Sequence, residues 1–228
     1  MSEYVVRFSV RQRIEHITVM LLFITLSLTG LPQKFYDSWW ATPIILSLGG
    51  IDQVRWIHRA AGIAFTLVTA IHLTTAIGLV VTGRSPLSLV PTRKDFSDAI
   101  QTLRYYLGIT EAHAKFDRFD YRQKFEYWGL VLGAIVVIST GLVLYFPLLA
   151  TTYLPGEVVP AAKLAHGNEG LMAFLVVIIW HIYNAHLSPD VFPFDTSIFT
   201  GKVTRERLAH EHPLEYARLQ EAEQSREP

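Results

Sequence analysis

Four long stretches without a charged residue interrupt an otherwise mixed chain of 228 residues. His16–Gln33 lacks Asp, Glu, Lys and Arg over 18 residues, Ala60–Gly83 over 24, Tyr127–Gly156 over 30 and Gly170–Pro189 over 20. A helix that crosses the hydrocarbon core of a bilayer needs about 20 mostly apolar residues. The pattern predicts an all-α fold, a four-transmembrane-helix bundle with spans at about residues 14–31, 54–82, 124–146 and 162–187. Pro32 is expected to stop the first span. Pro147, Pro155 and Pro160 mark the connection between the third and fourth, and Ser188-Pro189 follows the last. The first stretch does not read as a cleavable signal, because its charged prelude is long and no small-residue cleavage site follows.

The connections add smaller elements. Trp39–Ile51 is apolar but too short to span, and its Trp39-Trp40 pair is the kind enriched at membrane interfaces. In the polar loop 84–124, Thr92 and Asp95 are spaced as a capping box. Phe96, Ile100, Leu103 and Leu107 follow at helical spacing, which predicts a short helix on the inner surface. Residues 1–200 then form the membrane domain, and 201–228 a charged, soluble cytoplasmic tail with another short helix.

Charge sets the orientation. The net charge is zero, so no general attraction to nucleic acid follows. Of 20 Lys and Arg, 16 lie before the first span, between the second and third, or after the fourth. Only Lys34, Arg55, Arg59 and Lys163 fall on the other side. The positive-inside rule places both termini in the cytoplasm of a multi-pass protein of a bacterial or archaeal cytoplasmic membrane, with lipid as its first partner. With no cysteine, the chain cannot hold an iron–sulfur cluster through thiolates or attach haem through Cys-x-x-Cys-His.

The histidines carry the candidate chemistry. Ionisable groups inside a membrane are costly and usually functional, and His is a standard axial ligand of haem iron. His58 and His166 both lie near the outer ends of their spans, whereas His16 and His181 lie near the inner ends. At about 1.5 Å per residue, His166 and His181 are roughly 22 Å apart along one helix, and differ by about 60° around it. Two b-type haems, one in each half of the bilayer, fit this layout. His72 lies on nearly the same helical face as His58, so spacing leaves either His16 or His72 as the partner of His181. Zinc ligands cluster locally, and no such cluster occurs. His113, His210 and His212, in polar segments, are expected to be solvated, and His186 to sit at headgroup level. Gly62 and Gly170 each follow an outer histidine by one turn, as a flat cofactor between helices would require. Arg55, Arg59 and Lys163 are candidate partners of haem propionates on the outer side, and Arg11 and Arg13 on the inner.

At these residues the chain resembles the cytochrome b (gamma) subunits of membrane-bound formate dehydrogenases and of nickel–iron hydrogenases. The resemblance runs through the first-span His, Arg55-x-x-His58-x-x-x-Gly62, Gln123-Lys124, Trp128 and Thr140-Gly141. It continues through His166-x-x-x-Gly170, Trp180-His181-Ile182-Tyr183, Gly201-Lys202-Val203-Thr204-Arg205 and His212-Pro213. It implies that His58 and His166 hold an outer haem b and that His16 and His181 hold an inner one. Menaquinone or ubiquinone is implied beside the inner haem, near His181 and the start of the third span. An iron–sulfur or multihaem cytochrome subunit is implied on the outer face. Asp120-Tyr121-Arg122 replaces the formate dehydrogenase Asn-Ala-Gly before Gln-Lys, and His72 and His186 lie outside the family pattern. The implied role is electron transfer between that partner and the quinone pool. If quinone is reduced there, Asp120, Glu126, Tyr183 and His186 are candidate proton carriers. The chain shows no substrate chemistry of its own. A haem-free membrane anchor or transporter is the alternative of a different class.

Overall fold

The computed structural model describes residues 3–84, 86–189 and 191–225. The four apolar stretches form α1 (Val10–Lys34), α3 (Ile51–Val81), α5 (Tyr121–Tyr145) and α7 (Val158–Leu175). The last continues as π-helix over Val176–His181 and Tyr183–Leu187. All four are long and apolar enough to cross a membrane. Their most apolar windows bury between 0% and 6% of their residues inside the chain. Water would solvate so much apolar surface at a large cost; hydrocarbon does not. The protein is an all-α membrane bundle.

Two prolines behave differently from expectation. Pro32 does not stop α1 but lies inside it, fully buried, two residues before the end at Lys34. Pro160 lies in the first turn of α7, where no N–H is needed for an intrahelical bond. Each span begins about a turn before its expected start, and all but the first end within one residue of the expected end. Between α1 and α3, Ala41–Ser47 forms the short helix α2, preceded by Trp39 at 89% exposure, and between α5 and α7, Pro147–Tyr153 forms α6.

Close packing divides the chain into two units. One holds Arg11–Leu79 and Leu130–Asp195, the greater part of the four spans. The other gathers the residues up to Val10, Val80–Gly129 and the residues from Thr196 on. In this second unit β1 (Tyr4–Val6) pairs antiparallel with β2 (Lys202–Thr204), in the register Val5 to Val203. Before β2 comes the one-turn helix α8 (Ser197–Thr200), capped by Gly201 at φ 80°. Only Gly adopts that left-handed conformation freely, and it turns the Gly201 carbonyl to accept the N–H groups of Arg7 and Phe8 at 2.8 and 3.2 Å. Thr204 then caps α9 (Arg205–Glu211), which leads into α10 (Pro213–Gln224). The tail is thus tied to the start of the chain.

Buried charges hold this unit together. Arg7 is 7% exposed and donates to Glu215 and to the Arg118 carbonyl, while Arg118 donates to Glu215 at 2.7 Å. His212, expected to be solvated, is buried: its ring reaches the Asp117 carbonyl at 2.5 Å and the Arg7 guanidinium at 3.1 Å. Removal from water, reinforced by the Arg7 charge, lowers its pKa to about 4. His113 and His210 are exposed.

In the same unit, α4 (Arg93–Tyr106) starts on the Thr92–Asp95 capping box. Burial pushes the Asp95 carboxyl up, but Lys124 at 2.8 Å and the Thr92 bonds outweigh it and hold the pKa below its ordinary value. Asp120 and Gln123 exchange backbone and side-chain bonds to form a second capping box at the start of α5. Phe96, Ile100 and Leu103 of α4, with Leu107 just beyond it, are 58–70% exposed, so this apolar stripe faces outward.

Candidate functional site

The residues that matter lie in the unit of the spans. The His58 ring of α3 faces the His166 ring of α7, with centroids 6.1 Å apart and planes at 82°. The rings of His16 on α1 and His181 are likewise 6.1 Å apart, at 35°. A first-row metal lies about 2 Å from an imidazole nitrogen. With about 1 Å more to each ring centre, two rings sharing one metal are about 6 Å apart. Both pairs therefore leave the gap that a shared iron needs, and a haem fits the residues present.

The outer pair is oriented by a device that occurs twice. His58 Nδ1 lies 2.9 Å from the Thr29 hydroxyl, and the Leu26 carbonyl also accepts from the ring. His166 Nδ1 lies 3.2 Å from the Thr140 hydroxyl and 3.0 Å from the Val137 carbonyl. In each case the carbonyl belongs to the residue three before the threonine. Bonding to a carbonyl makes Nδ1 the protonated nitrogen, which leaves the Nε2 lone pair for a metal. Each threonine is followed by glycine. A Cβ on Gly30 would lie 3.0 Å from His58 Cε1, and one on Gly141 would lie 3.2 Å from His166 Cε1. The missing side chains let the rings lie against α1 and α5. Beside Gly62 and Gly170 nothing lies within 4 Å of where a Cβ would be, so space is open one turn below each outer histidine. Sequence reasoning missed Thr29, whose signal is the repetition of Thr-Gly on the first and third spans.

The inner pair is framed differently. His181 ends a π-helical stretch. Its i→i+5 bonding turns less per residue than an α-helix, so the 60° offset from His166 expected of a continuous α-helix does not hold. The structure brings the His16 ring to His181. His72 lies 3.1 Å from Glu15, which also takes the Arg11 guanidinium at 2.6 Å, and Arg11 donates to Thr75. His186 stacks on Phe194 at 4.1 Å and 3°. On the outer side Lys34 donates to Asn168 at 2.8 Å, and a Cβ on Gly133 would lie 2.5 Å from a Glu169 oxygen.

A family model described as prokaryotic cytochrome b561 matches residues 7–191. The chain belongs to that family. This prokaryotic cytochrome b561 is also similar to the nitrate-inducible formate dehydrogenase cytochrome b556(Fdn) subunit of Escherichia coli K12, at 24% identity over 99% of this chain and 96% of that protein. It is similar to the formate dehydrogenase cytochrome b556 subunit of Haemophilus influenzae, at 26% identity over 79% of this chain and 70% of that one. The cytochrome b561 is thus a haem b protein of electron transport, which sets aside the haem-free anchor and transporter readings.

Proposed function

We propose that this cytochrome holds two haems b and carries electrons between a redox partner on its outer face and quinone near its inner face. His58 and His166 are the ligands of the outer haem, His16 and His181 those of the inner. The observation that carries this reading is the equal 6.1 Å separation of both ring pairs, near the two ends of the same bundle. Haem b, when bound, supplies one-electron exchange at its iron. Thr29 and Thr140, with the carbonyls of Leu26 and Val137, keep the outer rings in one tautomer and orientation. Glu15 holds His72 by its Nδ1, beside the ligand His16. The excess of Lys and Arg on one side supports cytoplasmic termini, with the tail from residue 201 in the cytoplasm. The outward apolar stripe of α4 suits a helix lying in the inner headgroup layer.

The named relatives are cytochrome subunits of formate dehydrogenases. They support a partner of that oxidoreductase class, with iron–sulfur clusters as the electron source. Quinone reduced near the inner face would draw its protons from the cytoplasm.

The test is haem stoichiometry and redox titration of the purified chain. Wild type is expected to hold two b haems with separable midpoints. His58→Ala and His166→Ala should each retain one haem, and His72→Ala two. Retention of two haems in both outer-histidine variants would refute the ligand assignment.

A further inference from the structure

A groove opens at the end of α3 that carries His58. It has a volume of about 450 Å³ and is lined by Asp52, Arg55, Trp56, Arg59, Ala60, Ile63 and Tyr145. At about 100° per residue, the α3 members lie roughly 60° to 200° around the helix from His58. The groove is therefore centred away from the paired histidines. Its chemistry is layered. Arg55 faces Asp52 at 3.6 Å, and the Arg59 guanidinium lies 5.6 Å from the Tyr145 ring centre. Both ends of that Arg55–Asp52 contact are exposed, at 54% and 95%. Among the described residues, Arg59 has no carboxylate within ion-pair distance, so two guanidiniums meet one carboxylate and a net positive charge remains. Trp56 is 65% exposed beside them. Deeper along α3, Ile63, Leu67 and Ile71 continue the same face at 50%, 59% and 58% exposure.

Cationic rim, interfacial aromatics and an apolar track below form the sequence that a phospholipid presents from phosphate to acyl chain. Guanidinium forks match phosphate oxygens in pairs, and the excess positive charge is complementary to one anionic headgroup. An acidic protein loop would match the arginines but not the apolar track. We propose that this groove is a binding site for one anionic glycerophospholipid, with its phosphate on Arg55 and Arg59 and one acyl chain along Ile63, Leu67 and Ile71. The site requires that the spans lie in a bilayer. It is independent of which histidines hold haem.

The test uses the haem-loaded chain, stripped of lipid in detergent and exposed in turn to dioleoylphosphatidylglycerol, dioleoylphosphatidylcholine and inorganic phosphate. Native mass spectrometry counts bound molecules. One phosphatidylglycerol per chain is expected, held at least about tenfold more tightly than phosphatidylcholine. The Arg55→Gln/Arg59→Gln pair, compared at equal haem content, should weaken it by a similar factor. Equal binding of the two lipids, or unchanged phosphatidylglycerol binding in the double variant, overturns the proposal. Saturation by inorganic phosphate at equal affinity reassigns the site to a free anion and also overturns it. A second arm needs no substitution: a photoreactive phosphatidylglycerol added to wild type in its native complex should label residues 52–71 or the end of α5. Labelling spread evenly over all spans, or a groove closed to lipid by a protein partner, counts against it.

Discussion

Histidine is buried in two different ways in this protein. In the unit of the spans, His58 and His166 are half-buried, with Nδ1 committed to a threonine and a carbonyl and the two rings facing each other across 6.1 Å. In the unit that joins the chain's start to its tail, His212 is more deeply buried, yet both ring nitrogens are used within the protein, on Asp117 and Arg7. Burial alone therefore does not distinguish a ligand from a structural residue. What distinguishes them is whether one nitrogen is left facing a second imidazole at metal distance. His72 is intermediate: it lies in a span but leans on Glu15.

The largest expected effect breaks the first arrangement. Gly30→Ala or Gly141→Ala sets a Cβ at 3.0 or 3.2 Å from a proposed ligand ring confined by its hydroxyl and carbonyl partners. Each variant should lose the outer haem and keep the inner, read as a fall from two haems to one. Two haems with an unchanged spectrum would mean that the rings have room to retreat.

The second arrangement is tested by pH. His212 titrates at about 4 in the folded protein, against its ordinary 6.5. Between these values the unfolded chain binds more protons, so stability falls as pH drops through this window and is fully present above it. The expected loss is about 3 kcal/mol, seen as lower amide-exchange protection factors, corrected for intrinsic exchange at each pH, in α9 and α10 between pH 7 and 4. His212→Asn should flatten that dependence.

Smaller effects separate the two proposed haem levels. Glu15→Gln removes a carboxylate next to His16 and should raise the inner midpoint while leaving the outer where it was; a shift in both would place Glu15's influence elsewhere. Thr140→Val removes one hydroxyl but leaves the Val137 carbonyl bond. A hydrogen bond of this kind is worth about 1 kcal/mol net, so the outer midpoint should move by some tens of millivolts. No movement would show that the carbonyl alone orients His166.

Much of this was legible before the fold. The apolar runs mark the spans because hydrocarbon imposes a length and a composition on any helix that crosses it. His58, His166 and His181 stand out because polar rings within the expected spans need a reason. The choice of His16 over His72 was not legible from spacing. The π-helical stretch that ends at His181 and the His72–Glu15 contact leave no periodic mark in the sequence. Nor did the polar tail reveal its fold: Gly201 and Thr204 acquire their roles only when residues 4–8 pair against them.

By itself the sequence determined that four helices cross a bilayer and that imidazoles lie at two depths, because hydropathy and helical rise act locally along the chain. Tertiary structure decided which rings meet, how each is turned, and which histidine is spent on an arginine instead. Those outcomes rest on angular phase and on contacts between residues as much as 208 positions apart, such as Arg7 with Glu215, which no local pattern encodes.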